Sequence, residues 1–374
     1  MKRIAVPLLA LLVACGGSNE APAPVPSIPL PSGSALKPFD AAHPTLAHPF
    51  GLAAAGDKIY VALGNSEETT FTPAGPGMLA AVVPSSGNVS LIDLGGSSGK
   101  QCLSPGFVRS AGSYLYVSCT GDFSSGAGAA LVEVDPAGNG SVRRVLPLTV
   151  QPNGVAVAGN RAWHGDTASD RIYPVDLTTF TGTGSPVALG CPKGSDPHSA
   201  FQYTPDLIAV GTDLYALCVS DIGGVLYRID ANTGAIKSHV AVGPIATELT
   251  SLADGRIAVV NSGDNTVLLI TPTSTDLTAQ VAITLANVQT LQDIRARDHF
   301  LFTVASQTNT VQKIDLTAQG GPKVVAEANV GNGANPWNAY PLDDDQVIVS
   351  NLLANNLVAI TSTCGTGKVC WTAQ

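Results

Sequence analysis

Val259-Val260-Asn261-Ser262-Gly263-Asp264-Asn265-Thr266-Val267 reads as a strand, a polar glycine-containing loop and a second strand. Just upstream, Ile229-Asp230-Ala231-Asn232-Thr233-Gly234 ends one strand in a turn, and a further strand runs on to Val242-Gly243. The same unit recurs along the chain. Its starts are marked by Pro49, Pro105, Pro152, Pro197, Pro244 and Pro336, and the sixth start, near Gln289-Thr290, lacks the proline. Its second strands fall at Ile59–Leu63, Leu115–Cys119, Arg161–His164, Leu214–Val219, Arg256–Asn261, Phe300–Ala305 and Gln346–Asn351. Third strands follow at Ala130–Asp135, Arg171–Asp176, Val225–Asp230, Thr266–Thr271, Thr310–Asp315 and Asn356–Thr361. Apolar and polar residues alternate within these short runs, and no sustained helical period appears. Units of four strands repeating every 40–45 residues or so are the pattern of propeller blades.

The two quoted stretches resemble the YVTN-type (YVTN/NHL-like) propeller repeat, and the resemblance extends weakly over all seven units. It implies an all-β chain with a single β-propeller of about seven four-stranded antiparallel blades over residues 48–374. Blades one and three depart most, through the insertion Gly64–Gly77 and through Trp163-His164 in place of the usual motif. Propellers host unrelated activities, so the function must be argued from the site.

Met1-Lys2-Arg3 and the apolar run Ile4–Ala14 have the form of a secretory signal, too short to span a bilayer as a helix. Leu12-Val13-Ala14-Cys15 resembles the lipobox of bacterial lipoproteins, which implies a signal peptide over 1–14 and lipidation of Cys15. Gly16 stands where an inner-membrane retention Asp would be, which in a Gram-negative cell implies an outer-membrane lipoprotein. The stretch after Cys15 is rich in small residues and proline and favours extended polyproline II, so residues 15–47 read as a tether.

The formal charge is −9, and charged residues make up only 13% of the chain. That argues against nucleic acid as a partner, which calls for clustered Lys and Arg. It equally disfavours a basic membrane-surface patch, leaving the lipid anchor as the membrane contact.

Six cysteines besides Cys15 permit fifteen pairings, and export favours disulfides. In a blade of the implied kind the end of the second strand lies beside the start of the first. Cys119 and Cys218 end matching second strands, and Cys102 and Cys191 precede the first strands of the same blades. The expected pairs are therefore Cys102–Cys119 and Cys191–Cys218, leaving Cys364–Cys370 to clip the C-terminal hairpin.

Catalytic motifs fail on context. Gly95-Gly96-Ser97-Ser98-Gly99 has no strand–elbow–helix around it, Lys100 follows no phosphate loop, and Asp343-Asp344-Asp345 lacks the spacing of a calcium loop. There is no haem attachment motif. What remains is positional. Residues opening the first strands and loops after the second strands are expected to share the channel mouth, giving a binding face of His48, Asn153, His164, Asp166, His198, Trp337 and Asn338. The first reading is a non-enzymatic envelope platform that binds a protein, peptide or glycan there. The second is a metal-dependent lactonase or lyase, with a divalent cation (calcium or magnesium) held by Asn153, His198, Glu248 and Asp293.

Overall fold

The computed structural model describes residues 26–42, 45–194, 202–365 and 367–374. The expected signal peptide, Cys15 and His198 lie outside the described residues. The chain forms seven antiparallel blades arranged as a propeller, and among the described residues the only helical segments are two short 3-10 turns. Blade 5 shows the plan: Ala246–Ser251 innermost, then Ile257–Asn261, Thr266–Pro272 and Leu277–Thr284 at the rim. The innermost strands pack side by side around the axis, with Pro49–Ala55 of blade 1 meeting Pro336–Pro341 of blade 7.

Apolar side chains on both faces of each second and third strand fill the spaces between blades. Trp163, Tyr60 and Phe302 are the largest fully buried ones, and Trp163 Nε1 donates to Ala231 O at 3.1 Å, tying blade 3 to blade 4. The rim tolerates erosion: in blade 3 the outer strand is reduced to Thr181–Gly182 and Val187–Ala188, each paired with Arg171–Asp176.

Ring closure comes from the segment read as tether. Ser27–Pro29 adds antiparallel to Asn356–Thr361 as the fourth strand of blade 7, with Ile28 opposite Leu357. Ile28 and Leu36 are buried beneath it, and Asn355 accepts from Ala47 N at 2.9 Å while its backbone takes Leu30 N at 3.1 Å. The C-terminus completes the seam. Val369–Cys370 runs parallel to Asn356–Thr361, and Thr372–Ala373 pairs with Lys323–Asn329 of blade 6. A short apolar strap gains its burial only against a finished blade, so its sequence carries little sign of being a strand.

The three expected cysteine pairs are each brought together, with Cα–Cα separations of 5.4, 5.9 and 5.6 Å for Cys102–Cys119, Cys191–Cys218 and Cys364–Cys370. These lie within the span a disulfide bridges. Blade 4 departs from the sequence reading at its start. Its innermost strand is split into Gln202–Tyr203 and Leu207–Val210, both paired with Asp213–Ser220. Pro205 leads the inner piece, and Pro197, the expected start, lies outside the described residues.

Candidate functional site

Proline starts the innermost strand of blades 1, 2, 3 and 7. Having no N–H, it suits a strand's first residue, where the ladder needs no donor. In six blades a register shift follows at once: Pro49/Leu52, Pro105/Phe107, Pro152/Val155, Ala246/Glu248, Leu291/Asp293 and Pro336/Asn338. Such a bulge breaks the alternation and re-aims the extra residue. The residues inside the bulges, among them Phe50, Asn153, Thr247, Gln292 and Trp337, line one cavity of ≈ 250 Å³ at the channel mouth. Glycine belongs at Gly51 for a packing reason, since a Cβ there would sit 2.6 Å from Gly106 O of the next blade.

Five aromatic rings line this cavity together with polar side chains such as Ser104, Thr120, Asn153, Thr247, Gln292 and Asn338. Phe50 and Trp337 meet edge to face at 5.4 Å, and Phe107, Phe123 and Tyr203 complete the surround. Phe123 is 67% exposed and forms the outer lip.

Glu248 lines the cavity and belongs to a buried ion-pair ring. Arg109 donates from one Nη to both oxygens of Asp206, at 2.9 and 3.0 Å, and to Glu248 Oε1 at 3.2 Å. Arg295 donates to the same Glu248 oxygen at 3.1 Å and lies 3.0 Å from Asp293 Oδ1, out of line for a hydrogen bond. Asp293 Oδ2 accepts from Ala339 N at 2.7 Å, joining blade 6 to blade 7. Burial first, then Asp206 beside it, push the Glu248 carboxyl well above the usual carboxylate range, against the pull of Arg295 and Arg109. Burial also raises Asp293. For Arg109 burial works against the charge, yet Asp206 and Glu248 outweigh it and hold the guanidinium ionised.

Of the residues expected at the mouth, Asn153, Trp337 and Asn338 are there. Asn338 also accepts from Leu52 N at 3.1 Å, so it stitches blade 7 to blade 1. His48 is fully buried instead, with Nδ1 2.5 Å from Ser66 Oγ and its ring 4.6 Å from Phe71. His164 is buried too, stacked on Tyr173, and lines a separate cleft of ≈ 220 Å³ between blades 2 and 3. Asp166 folds onto its own loop, accepting from Ala168 N at 3.0 Å and Ser169 Oγ at 2.6 Å. Of the metal set, Asn153 and Glu248 share the cavity while Asp293 lies in the ring, and both carboxylates already face guanidiniums. Among the described residues no group of three or more His, Cys, Asp or Glu could hold a metal ion.

Arg109, Asp206 and Arg295 went unread in the sequence, as did Phe107, Phe123 and Tyr203. A signal existed for the arginines: each follows a buried apolar residue of an innermost strand, Val108 before Arg109 and Ile294 before Arg295. Their pairing with carboxylates of other blades had no local trace.

No protein-family model matches the chain, and no curated protein matches it in sequence. Solved structures do match in fold. A streptogramin B lyase superposes with a TM-score of 0.61 at 15% identity, over 88% of this chain and 94% of that one. The Cps50 (Swd1) β-propeller domain of Myceliophteria thermophila gives 0.64 at 13%, over 85% and 99%. A Lactobacillus plantarum protein gives 0.62 at 13%, over 85% and 99%. At such identities the likeness shows the fold alone, a seven-bladed β-propeller.

Proposed function

We propose that the protein is a non-enzymatic binding platform of the cell envelope, held by a lipid on Cys15, whose channel mouth receives a group presented by a protein, peptide or glycan. The observation that carries this reading is the mouth cavity itself. Bulges in six blades turn spare residues, Phe50 and Trp337 among them, into one recess that five aromatic rings line, and aromatic anchors in a recess are what binding surfaces concentrate. The test is capture from envelope extract. A Phe123→Ala/Trp337→Ala variant should lose the partner, while Ile236→Ser, an exposed position on the rim of blade 4, should keep it. Loss through the rim variant with the mouth variant unaffected would misplace the surface. Cys15→Ser should move the protein from the membrane to the soluble fraction.

A second reading, a lyase, is favoured by Glu248, a buried carboxyl with a raised pKa of the kind acid–base chemistry uses. The fold shared with a virginiamycin B lyase from Staphylococcus aureus, solved with quinupristin, names a compound to try. Conversion of quinupristin with added magnesium or calcium, abolished by Glu248→Gln, would favour the lyase over the platform.

A further inference from the structure

We infer that the ligand group seated in the mouth is an organic cation: an ammonium carried on an aromatic or other apolar frame. This inference rests on the mouth being the binding surface and names what that surface selects.

The argument starts from charge. Among the described residues the ring holds three carboxylates, Asp206, Glu248 and Asp293, against two guanidiniums, Arg109 and Arg295. With all three ionised the ring would carry one negative charge in excess; burial, which raises Glu248 and Asp293, favours a proton there until a bound cation takes its place. Both guanidiniums converge on Glu248 Oε1, and among the described residues no donor reaches Oε2. Glu248 is 3% exposed and is the member of the ring that lines the cavity. Glu248 Oε2, an acceptor no described donor reaches, therefore stands at the base of the recess.

The walls select in the same direction. The faces of Phe50, Phe107, Phe123, Tyr203 and Trp337 are electron-rich and attract weakly hydrated cations. The protein already uses one in this way, with the Arg109 guanidinium 5.8 Å from the Phe107 ring centre. An anion would meet Glu248. A divalent metal ion asks for several oxygens at once, and among the described residues no group of three or more His, Cys, Asp or Glu could hold one. Size agrees as well: an apolar cavity of about 150 Å³ holds benzene, so ≈ 250 Å³ takes one ring and a cationic head.

Calorimetric titration of the purified full chain in detergent at low ionic strength tests this with three probes of one frame: benzyltrimethylammonium, benzyl alcohol and benzoate. The cation should bind at least tenfold more tightly than the alcohol, and benzoate should give no binding. In Glu248→Gln the preference for the cation should fall below about threefold. In Phe123→Ala the cation and the alcohol should both weaken. Equal affinity for cation and alcohol in the wild type would overturn the inference while leaving the mouth as the binding surface. Absence of cation binding, or full retention of the preference in Glu248→Gln, would overturn it too. The wild-type comparison decides even if the glutamine variant fails to fold. Failure of the platform reading shows separately, as partner capture that ignores the mouth variants.

Discussion

Blades 2 and 5 solve one problem by different chemistry. In each, the end of the second strand must be held against the segment that leads into the first. The backbone part is the same in both: Thr120 N donates to Ser104 O at 3.1 Å, and Ser262 N donates to Ile245 O at 2.9 Å. Ser104 and Ile245 both adopt positive φ, 47° and 51°. Beyond that the blades diverge. Blade 2 places Cys119 against Cys102, whereas blade 5 places Asn261, whose Nδ2 donates to Val242 O and, at 3.0 Å, to Thr266 Oγ1. A covalent link limits the unfolded chain, while an amide satisfies buried polar groups of the folded one. The junction is therefore a fixed geometric demand that several residue types can meet. Blade 1 adds a third solution, in which His48, at φ 46°, passes its carbonyl to Gly64 N and buries its ring against Ser66.

The largest effect should come from the covalent junction. Cys102→Ala/Cys119→Ala, which opens a loop of sequence separation 17, should cost about 3 kcal/mol. Urea unfolding of the oxidised wild type and the variant measures it, and equal midpoints would remove the disulfide from the comparison. Asn261→Leu comes next, at about 2 kcal/mol, because a buried carbonyl loses its donor. A loss equal to that of the cysteine variant would mean that the amide does more than satisfy its partners.

Ile245→Asn should act in the opposite sense. A β-branched residue at positive φ is strained, and asparagine there should raise stability by about 1 kcal/mol. A fall in midpoint would show that the half-exposed Ile245 side chain has a packing role stronger than its strain.

The smallest effect belongs to blade 1 and depends on pH. Burial lowers the His48 pKa from its ordinary 6.5, with Glu67 opposing. A group lowered in the fold contributes stability above the unfolded pKa and loses it as pH falls below 6.5 through the lowered value. Between pH 7.5 and 5 the loss cannot exceed about 2 kcal/mol, and the opposing charge of Glu67 keeps it below that limit. His48→Asn should flatten that slope, and an unchanged slope would assign the acid sensitivity elsewhere, with buried His164, also lowered by burial, the next to test.

The repeat, the number of blades, the all-β class and the three cysteine pairs were legible because each is local or repeats at fixed spacing. The mouth was legible only in part. Asn153, Trp337 and Asn338 follow starting prolines or the equivalent Asn335 turn, so position along the repeat located them. His48 follows no such rule. It is the positive-φ linker residue itself, and the insertion that supplies Ser66 and Phe71 buries it. In blade 4 the inner strand piece likewise starts only at Leu207, two residues after Pro205.

What the sequence by itself determined is the blade: alternation sets the strands, polar turns end them, and in four blades proline opens the innermost one. What only the tertiary structure decided is everything that crosses between blades. The strap Ser27–Pro29 is a strand only because Asn356–Thr361 offers it an edge. Arg109 of blade 2 and Glu248 of blade 5 are 139 residues apart and meet only when the ring closes. Pattern within a blade follows from neighbours a few residues away, whereas the charge pairs that join blades at the axis depend on residues that no local spacing connects.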